Sequence, residues 1–362
     1  MKENSIELLK ALTETPGVSG FESPVRKVLA ERLTPFASEI SVDGLGSLIA
    51  VKKGVSAEPR IMVAAHMDEV GFMVTQITDE GFVKFQTLGG WWEQVLLAQR
   101  VDILTSGGSV PGVIGAKSPH ILSPEDRKQP VKMKSMFIDV GATGREEAAR
   151  TGVKPGDPVI PYSPFTVCRN ARTLMAKALD DRSGCAMVVE LFQRLNPCEL
   201  PGTVFGVMTV QEEVGLRGAV TSAEAVNPDV AVVADVTVAT DTPGITADDV
   251  PVKMYLGKGP AIGFYDNTMI PHIPFRDFVI KTAEENNIPY QIEVMAGGGT
   301  DAGRIHIHRR GVPSIVIGIP VRYIHDHTGI AHIDDYENAV KLITSVVKGL
   351  NAETLNSLRY HI

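Results

Sequence analysis

Cysteine is scarce: Cys168, Cys185 and Cys198 are the three in 362 residues, an odd number with no CxxC spacing. This excludes a disulfide framework and a thiolate metal knuckle, and it suits a reducing compartment. Positive charge is short as well, because 35 Lys and Arg face 43 Asp and Glu and leave a formal net charge of -8. No basic field exists for nucleic acid or an anionic membrane surface, so neither is an expected partner. No apolar run approaches a membrane span. The opening MKENSIELLKALTETPG sets Glu3, Glu7 and Lys10 among Ile6, Leu8, Leu9 and Leu12, an amphipathic helix rather than a signal segment. The expected location is the cytoplasm. Neither GxxxxGK[ST] nor GxGxxG occurs, and there is no internal repeat. What the chain does have is a hydrophobic fraction of 44%, enough for one large core or two modest ones.

The chain is organised around GTVFGVMTVQEEVG at 202–215, an apolar, β-branched run that stops at Glu212 and Glu213. Neighbouring side chains on a regular strand point to opposite faces, so both acids reach one site only where the strand gives way to a loop. Gly215 is the expected break. Two acids at a strand exit are ordinarily just solvated, but four more metal-competent residues stand at similar joints. His66 follows RIMVAA, Asp180 sits in ALDDRSG, Asp235 follows DVAVVA, and His325 follows SIVIGIPVRYI. In an open α/β sheet, ligands bind outside the carboxyl ends of the strands, where such joints converge.

Along the chain, TPGVSG at 15–20 is turn chemistry and 24–33 is a second helix. Strands at 39–42 and 47–52 form a hairpin about Asp43-Gly44, and the strand at 60–65 delivers His66. From 72 to 163 the texture changes to short alternating segments, many glycines and prolines, and a single helix at 144–151, which reads as a β-rich unit inserted into an α/β domain. Its portion 111–134 is turn-rich and charged and is expected to be an exposed loop. Trp91-Trp92 reads as barrel packing or a subunit contact, and His120 as neither ligand nor catalyst. Beyond 163, Cys185, Val188, Val189, Phe192 and Leu195 form one helix face preceded by Asp180 and Asp181, either of which could be a helix cap. Strands at 203–210 and 230–234 flank a helix at 216–225, the rhythm of a parallel sheet. A helix at 273–286 and a strand at 290–295 precede AGGGTDAGRIHIHRRG at 296–311. Its glycines read as close approach of backbone to a substrate, and His306 and His308 as packing or surface residues on the following helix. A strand at 314–319 and a helix at 333–350 close the fold.

His, Asp and Glu without thiolates suit zinc, cobalt or manganese. Five such residues are too many for one tetrahedral ion; they suit two ions sharing a carboxylate, with a spare glutamate, Glu212 or Glu213, as general base.

The segments AHMDEVG at 65–71, ALDDRSG at 178–184, VQEEVGLRGA at 210–219, ADVT at 234–237, GGGTDAG at 297–303 and PVRYIH at 320–325 resemble those of the M42 family of dinuclear metalloaminopeptidases, the glutamyl and tetrahedral aminopeptidase group. The likeness spans essentially the whole chain, TPGVSGFE at 15–22 included. It implies an α/β fold with a mixed, largely parallel sheet flanked by helices, split into 1–71 and 164–362, with a PDZ-like β insert at 72–163 that mediates dimer formation. It further implies His66, Asp180, Glu213, Asp235 and His325 as ligands of two divalent ions, zinc or cobalt with manganese as an alternative. Asp180 would bridge, Asp68 would orient His66, Glu212 would be the general base, and the Asp180-Asp181 peptide would be cis. Short peptides are the implied substrates, and dimers assembling into a dodecamer the implied oligomer. One departure stands out: the family continues after His325 with a small polar residue and a glutamate-bearing segment, where this chain has Asp326-His327-Thr328-Gly329. That makes His327 a rival to His325, although Arg322-Tyr323 favours His325.

Three rival functions remain. A glycoside hydrolase needs two carboxyls across a sugar, usually in an aromatic-lined cleft, and has no use for poised histidines. A non-catalytic scaffold does not need every motif intact. Related dinuclear carboxypeptidases and deacylases are chemically closer, because the motifs do not say which end of a peptide binds.

Overall fold

The structure, a computed structural model, describes residues 5–295 and 297–359. Residues 1–4 of the expected N-terminal helix and Ala296 of the glycine-rich segment lie outside them; the helix itself runs Ser5–Glu14.

Four strands form the centre of a sheet that has eleven among the described residues. Arg60–His66 lies between Thr203–Thr209 and Val230–Val238, with Ser314–Arg322 beyond the latter, and all four are parallel. They are apolar along their length because both faces are covered. On one face Ile61, Val63, Ala65, Val204, Met208, Val232 and Ala234 pack against helices Ser5–Glu14, Ser23–Leu33, Leu179–Arg194, Ile273–Glu285 and Ile333–Gly349. On the other, Met62, Ala64, Phe205, Val207, Ala231 and Val233 meet helix Arg217–Val226 and the single turn Ala302–Ile305. Antiparallel strands finish both edges: Leu48–Lys52 and Glu39–Val42 on one side, Gly329–His332, Thr173–Ala176 and Thr166–Val167 on the other. The largely parallel α/β sheet expected from the sequence is present.

Between the first central strand and the rest of the sheet, the chain builds a closed antiparallel barrel. Its strands are Gly71–Ile77, Val83–Leu88, Arg100–Thr105, Gly108–Gly115, Phe137–Asp139 and Pro158–Pro161. Closure removes the free edges that short strands would otherwise expose. The barrel has its own core of Phe72, Val83, Val101, Ile103, Ile114, Ile138 and Val159.

Several expectations need correction. The loop expected at 111–134 starts later, because Gly108–Gly115 is a strand; Pro111 lies within it, opposite Asp102. From 116 to 135 the chain is irregular and mostly exposed, as expected. His306 and His308 are not on a helix, since Ala302–Ile305 ends before them. Strands Ala261–Tyr265 and Gly329–His332 and helix Ala352–Leu358 were not anticipated.

Candidate metal centre

Register brings the first two candidates together. Thr209 pairs with His66 on one side, and Val233 pairs with Ala64 on the other, so two residues further on Asp235 is level with His66. By strand alternation both point to the face covered by the two short helices, past the apolar residues those helices bury. The strand ahead of Glu212 ends at Thr209, and the break comes at Gln211, whose φ is +55°. This is earlier than Gly215, which has a φ of +125° and closes the turn instead. The break lets both acids turn toward the same site.

Asp180 and Asp181 divide the two roles open to them. Asp181 accepts hydrogen bonds from the Gly184 N–H (2.8 Å) and the His66 N–H (3.2 Å), so it is the one that caps the helix. Asp180, joined to it by a cis peptide as expected, is left facing the site. Its carboxylate is split: Oδ1 lies 3.0 Å from Nε2 of His66, and Oδ2 lies 3.3 Å from Nε2 of His325. That same His325 nitrogen is 3.3 Å from Oε2 of Glu213, and His66 Nε2 is 4.0 Å from Oδ1 of Asp235. Two sets of donors each gather within 4.8 Å: His66, Glu212 and Asp235, and His66, Asp180 and Glu213.

His325 sits at the turn between Ser314–Arg322 and Gly329–His332 with a φ of +60°. His327 is elsewhere. It is buried against Trp91 (ring centroids 5.1 Å apart) and Phe72 (6.3 Å), and neither ring nitrogen has a hydrogen-bond partner. Burial holds it down at about 4, as a neutral aromatic packing group. Trp91 stacks on Phe72 and is barrel packing, as anticipated, while Trp92 is 64% exposed. His120 lies on an exposed turn, away from the cluster.

Asp68 does more than face His66. The nearest group to His66 Nδ1 is the Asp68 carbonyl at 3.0 Å, with the carboxylate at 3.5 Å. The carboxylate accepts the N–H groups of Glu212 (2.9 Å) and Glu213 (3.1 Å) and the Ser19 hydroxyl (2.6 Å). Ser19 was not singled out from sequence, and neither was Asp301. Asp301 is buried behind the site, bonded to Thr209 and lying within the field of Glu212. Beneath these lies a buried tie: Arg182 donates to the carbonyls of Met67, Leu12, Thr15 and Gly17, and both Arg182 and Lys177 pair with Glu69.

Electrostatics show what the cluster lacks. Asp180, Asp181, Glu212, Glu213 and Asp235 are packed around two imidazoles. Burial, reinforced by neighbouring carboxylates, pushes Glu213 and Asp235 up to about 8 and Glu212 well above the carboxylate range. For His66, burial alone would favour the neutral ring, but Glu212, Asp180 and Asp68 outweigh it and push the imidazole well up. For His325, Asp180 and Glu213 overcome burial in the same way and push it up to about 9. Oε1 of Glu213 is buried with no hydrogen-bond partner. A buried orphan oxygen in a nest of carboxylates fits divalent cations, which supply the missing positive charge and the missing partner.

The cluster opens into a cleft of about 550 Å³, walled by Leu216, Val236, Thr237, Val238, Thr268, Met295, Ile324 and the backbone at 297–300. The close backbone expected of the glycine-rich segment is therefore at the cleft. Gly90, from the barrel, also lines it.

The sequence model of M42 glutamyl aminopeptidase matches residues 46–342. The chain belongs to the M42 family. Glutamyl aminopeptidase of Lactococcus lactis subsp. cremoris is 39% identical to it, over 97% of this chain and 98% of the relative. Among solved structures, a TET aminopeptidase from a marine sediment archaeon of the Thaumarchaeota has a TM-score of 0.94 at 49% identity, covering 98% of this chain and 99% of the other. The TET1 peptidase of Pyrococcus horikoshii, described as assembling into a tetrahedron or a large octahedral shell, has a TM-score of 0.85 at 36% identity, covering 96% and 100%. M42 membership makes this chain an aminopeptidase, a peptide hydrolase.

Proposed function

We propose that the chain removes N-terminal residues from short peptides with two divalent cations held by His66, Asp180, Glu213, Asp235 and His325. The observation that carries this is the Asp180 carboxylate, whose two oxygens face two different imidazoles. A carboxylate placed between two histidines in this way would suit the shared ligand of a two-cation site. Zinc or cobalt fits the nitrogen and oxygen donors, and manganese is the alternative. When bound, the cations supply an acidified water and Lewis-acid polarisation of the scissile carbonyl.

The chain's own groups do the rest. Glu212 is the general base: it faces the same space as His66 and Asp235, and burial gives its carboxylate high proton affinity. It takes the proton from water and passes it to the leaving amine. Asp68 and Ser19 fix the 212–213 turn so that one glutamate serves as ligand and its neighbour as base. Among the described residues no Trp, Tyr or Phe lines the cleft, which favours a peptide over a sugar. Anilides of single amino acids test the reading: stripping the metal abolishes hydrolysis, and reloading restores it. Hydrolysis that persists at full rate through chelation overturns it.

We further propose that the segment 72–163 is the PDZ-like dimerisation unit and that dimers assemble into a dodecamer. The exposed Trp92 on the barrel and the assemblies described for the TET1 peptidase support this. A cytoplasmic location fits the cysteine usage, and among the described residues no helix is long and apolar enough to cross a membrane.

A further inference from the structure

The cleft does not end at the donor cluster. Val236, Met295, Gly299 and Thr300 wall both the cleft and a smaller recess behind it, and the recess closes on Glu293, with Asp266 at its side. Glu293 stands on strand Gln291–Val294 and accepts a hydrogen bond from Thr237, itself a cleft residue. Thr237 is two residues beyond Asp235 on the same strand, so the two side chains share a face about 7 Å apart. That is a distance the methylene stem of a lysine covers.

Glu293 is 9% exposed, and among the described residues no lysine, arginine or histidine pairs with it. Burial pushes its carboxyl up to about 7; the Thr237 hydroxyl opposes this and Asp266 adds to it. An acid buried beside a second acid with no cation is an unfavourable arrangement for folding alone. The recess is small, about 20 Å³, room for a group the size of an ammonium. Gly263 is the residue opposite Glu293 on the paired strand, and a Cβ there would lie 3.9 Å from Glu293 Oε2 and 3.2 Å from the Cβ of Val316. Met295, Met269 and Val316 offer apolar walls for a methylene stem, the usual surroundings of a long cationic side chain whose charged end finds a partner.

We propose that Glu293 sets the substrate preference by receiving the ammonium end of a lysine at the N-terminus of the peptide. The proposal rests on the aminopeptidase reading above. It runs against the glutamyl label of the family model, because a glutamate side chain entering this recess would meet Glu293 and Asp266.

The test uses metal-loaded enzyme and the anilides of lysine, norleucine and glutamate, norleucine having the apolar stem of lysine without its charge. Wild-type enzyme is expected to show kcat/KM at least tenfold higher for lysine than for norleucine, with glutamate the poorest. In Glu293→Gln this lysine-to-norleucine ratio falls at least tenfold toward unity. Should that variant fold poorly, competitive inhibition of the wild type by free lysine and free norleucine reads the same preference, with lysine expected to bind at least tenfold tighter. An active enzyme that prefers norleucine or glutamate, or a Glu293→Gln variant whose ratio does not move, overturns the recess assignment and leaves the aminopeptidase reading standing. An enzyme that cleaves none of the anilides, with metal bound, overturns both.

Discussion

The Asp68 carboxylate accepts the N–H groups of Glu212 and Glu213 together with the Ser19 hydroxyl, so a change there moves the proposed base and a proposed ligand at once. Asp68→Asn is expected to lower both activity and metal affinity about 10 to 100-fold, the usual cost of losing such a support. Glu212→Gln separates the roles: kcat falls roughly 10²- to 10⁴-fold, while metal content measured by mass spectrometry stays close to that of the wild type. On the two-cation proposal, His325→Ala is expected to lower the metal content measured by mass spectrometry from two ions per chain to one. Glu293 supplies a pH dependence outside the centre. Its carboxyl is raised from an ordinary 4.5 to about 7, so the neutral form belongs to the folded state. Stability from this group is fully present below pH 4.5 and is lost as pH rises through 7. The unfolding free energy of the wild type relative to Glu293→Gln, measured by chemical denaturation, should therefore fall between pH 5 and pH 8 by an amount on the order of 2 kcal/mol. Candidate residues were legible here because each closes an apolar run. Ser19 and Asp301 were not, because their importance lies in partners 49 and 92 positions away.

At the scale of elements, the site hangs on the start of helix Leu179–Arg194. Arg182, fully buried in its first turn, ties the end of helix Ser5–Glu14 and the following turn to Glu69 and the Met67 carbonyl. Replacing it with Met leaves four backbone carbonyls and the Glu69 carboxylate short of a donor, and is expected to destabilise the protein by about 3 to 5 kcal/mol in chemical unfolding. The sequence shows why the central strands were easy to read: continuous β-branched runs bounded by glycine and proline mean strands covered on both faces. Outer strands of the sheet such as Gly329–His332 and the edge strand Thr166–Val167 are four and two residues long, too short for a pattern. The turn at Gln211 could not be foreseen, since glutamine gives no sign of a left-handed backbone, and glycine four residues later gave a misleading one. Asp180 and Asp181 were distinguishable only once Gly184 and His66 were in place to claim Asp181.

For the whole molecule, the proposed role of the barrel in assembly can be tested directly. If barrels join the subunits, Trp92→Glu, which changes an exposed side chain outside the barrel core, should shift the species seen by analytical ultracentrifugation toward smaller assemblies. The folded monomer should survive, judged by an unchanged far-ultraviolet circular dichroism spectrum. The existence of a β-rich insert was legible from its glycine and proline texture. Its closure was not, because the pairing of Gly71–Ile77 with Pro158–Pro161 joins segments more than 80 residues apart.

The barrel turn at Gly89 and Gly90 has a bearing on protein engineering. A Cβ on Gly90 would come within 3.2 Å of the His325 ring, and one on Gly89 within 3.2 Å of a Glu213 oxygen. Exchanging barrels between relatives therefore transplants a piece of the cleft wall along with the barrel. A chimera carrying a foreign barrel will inherit altered kinetics unless this two-glycine corner stays with its host.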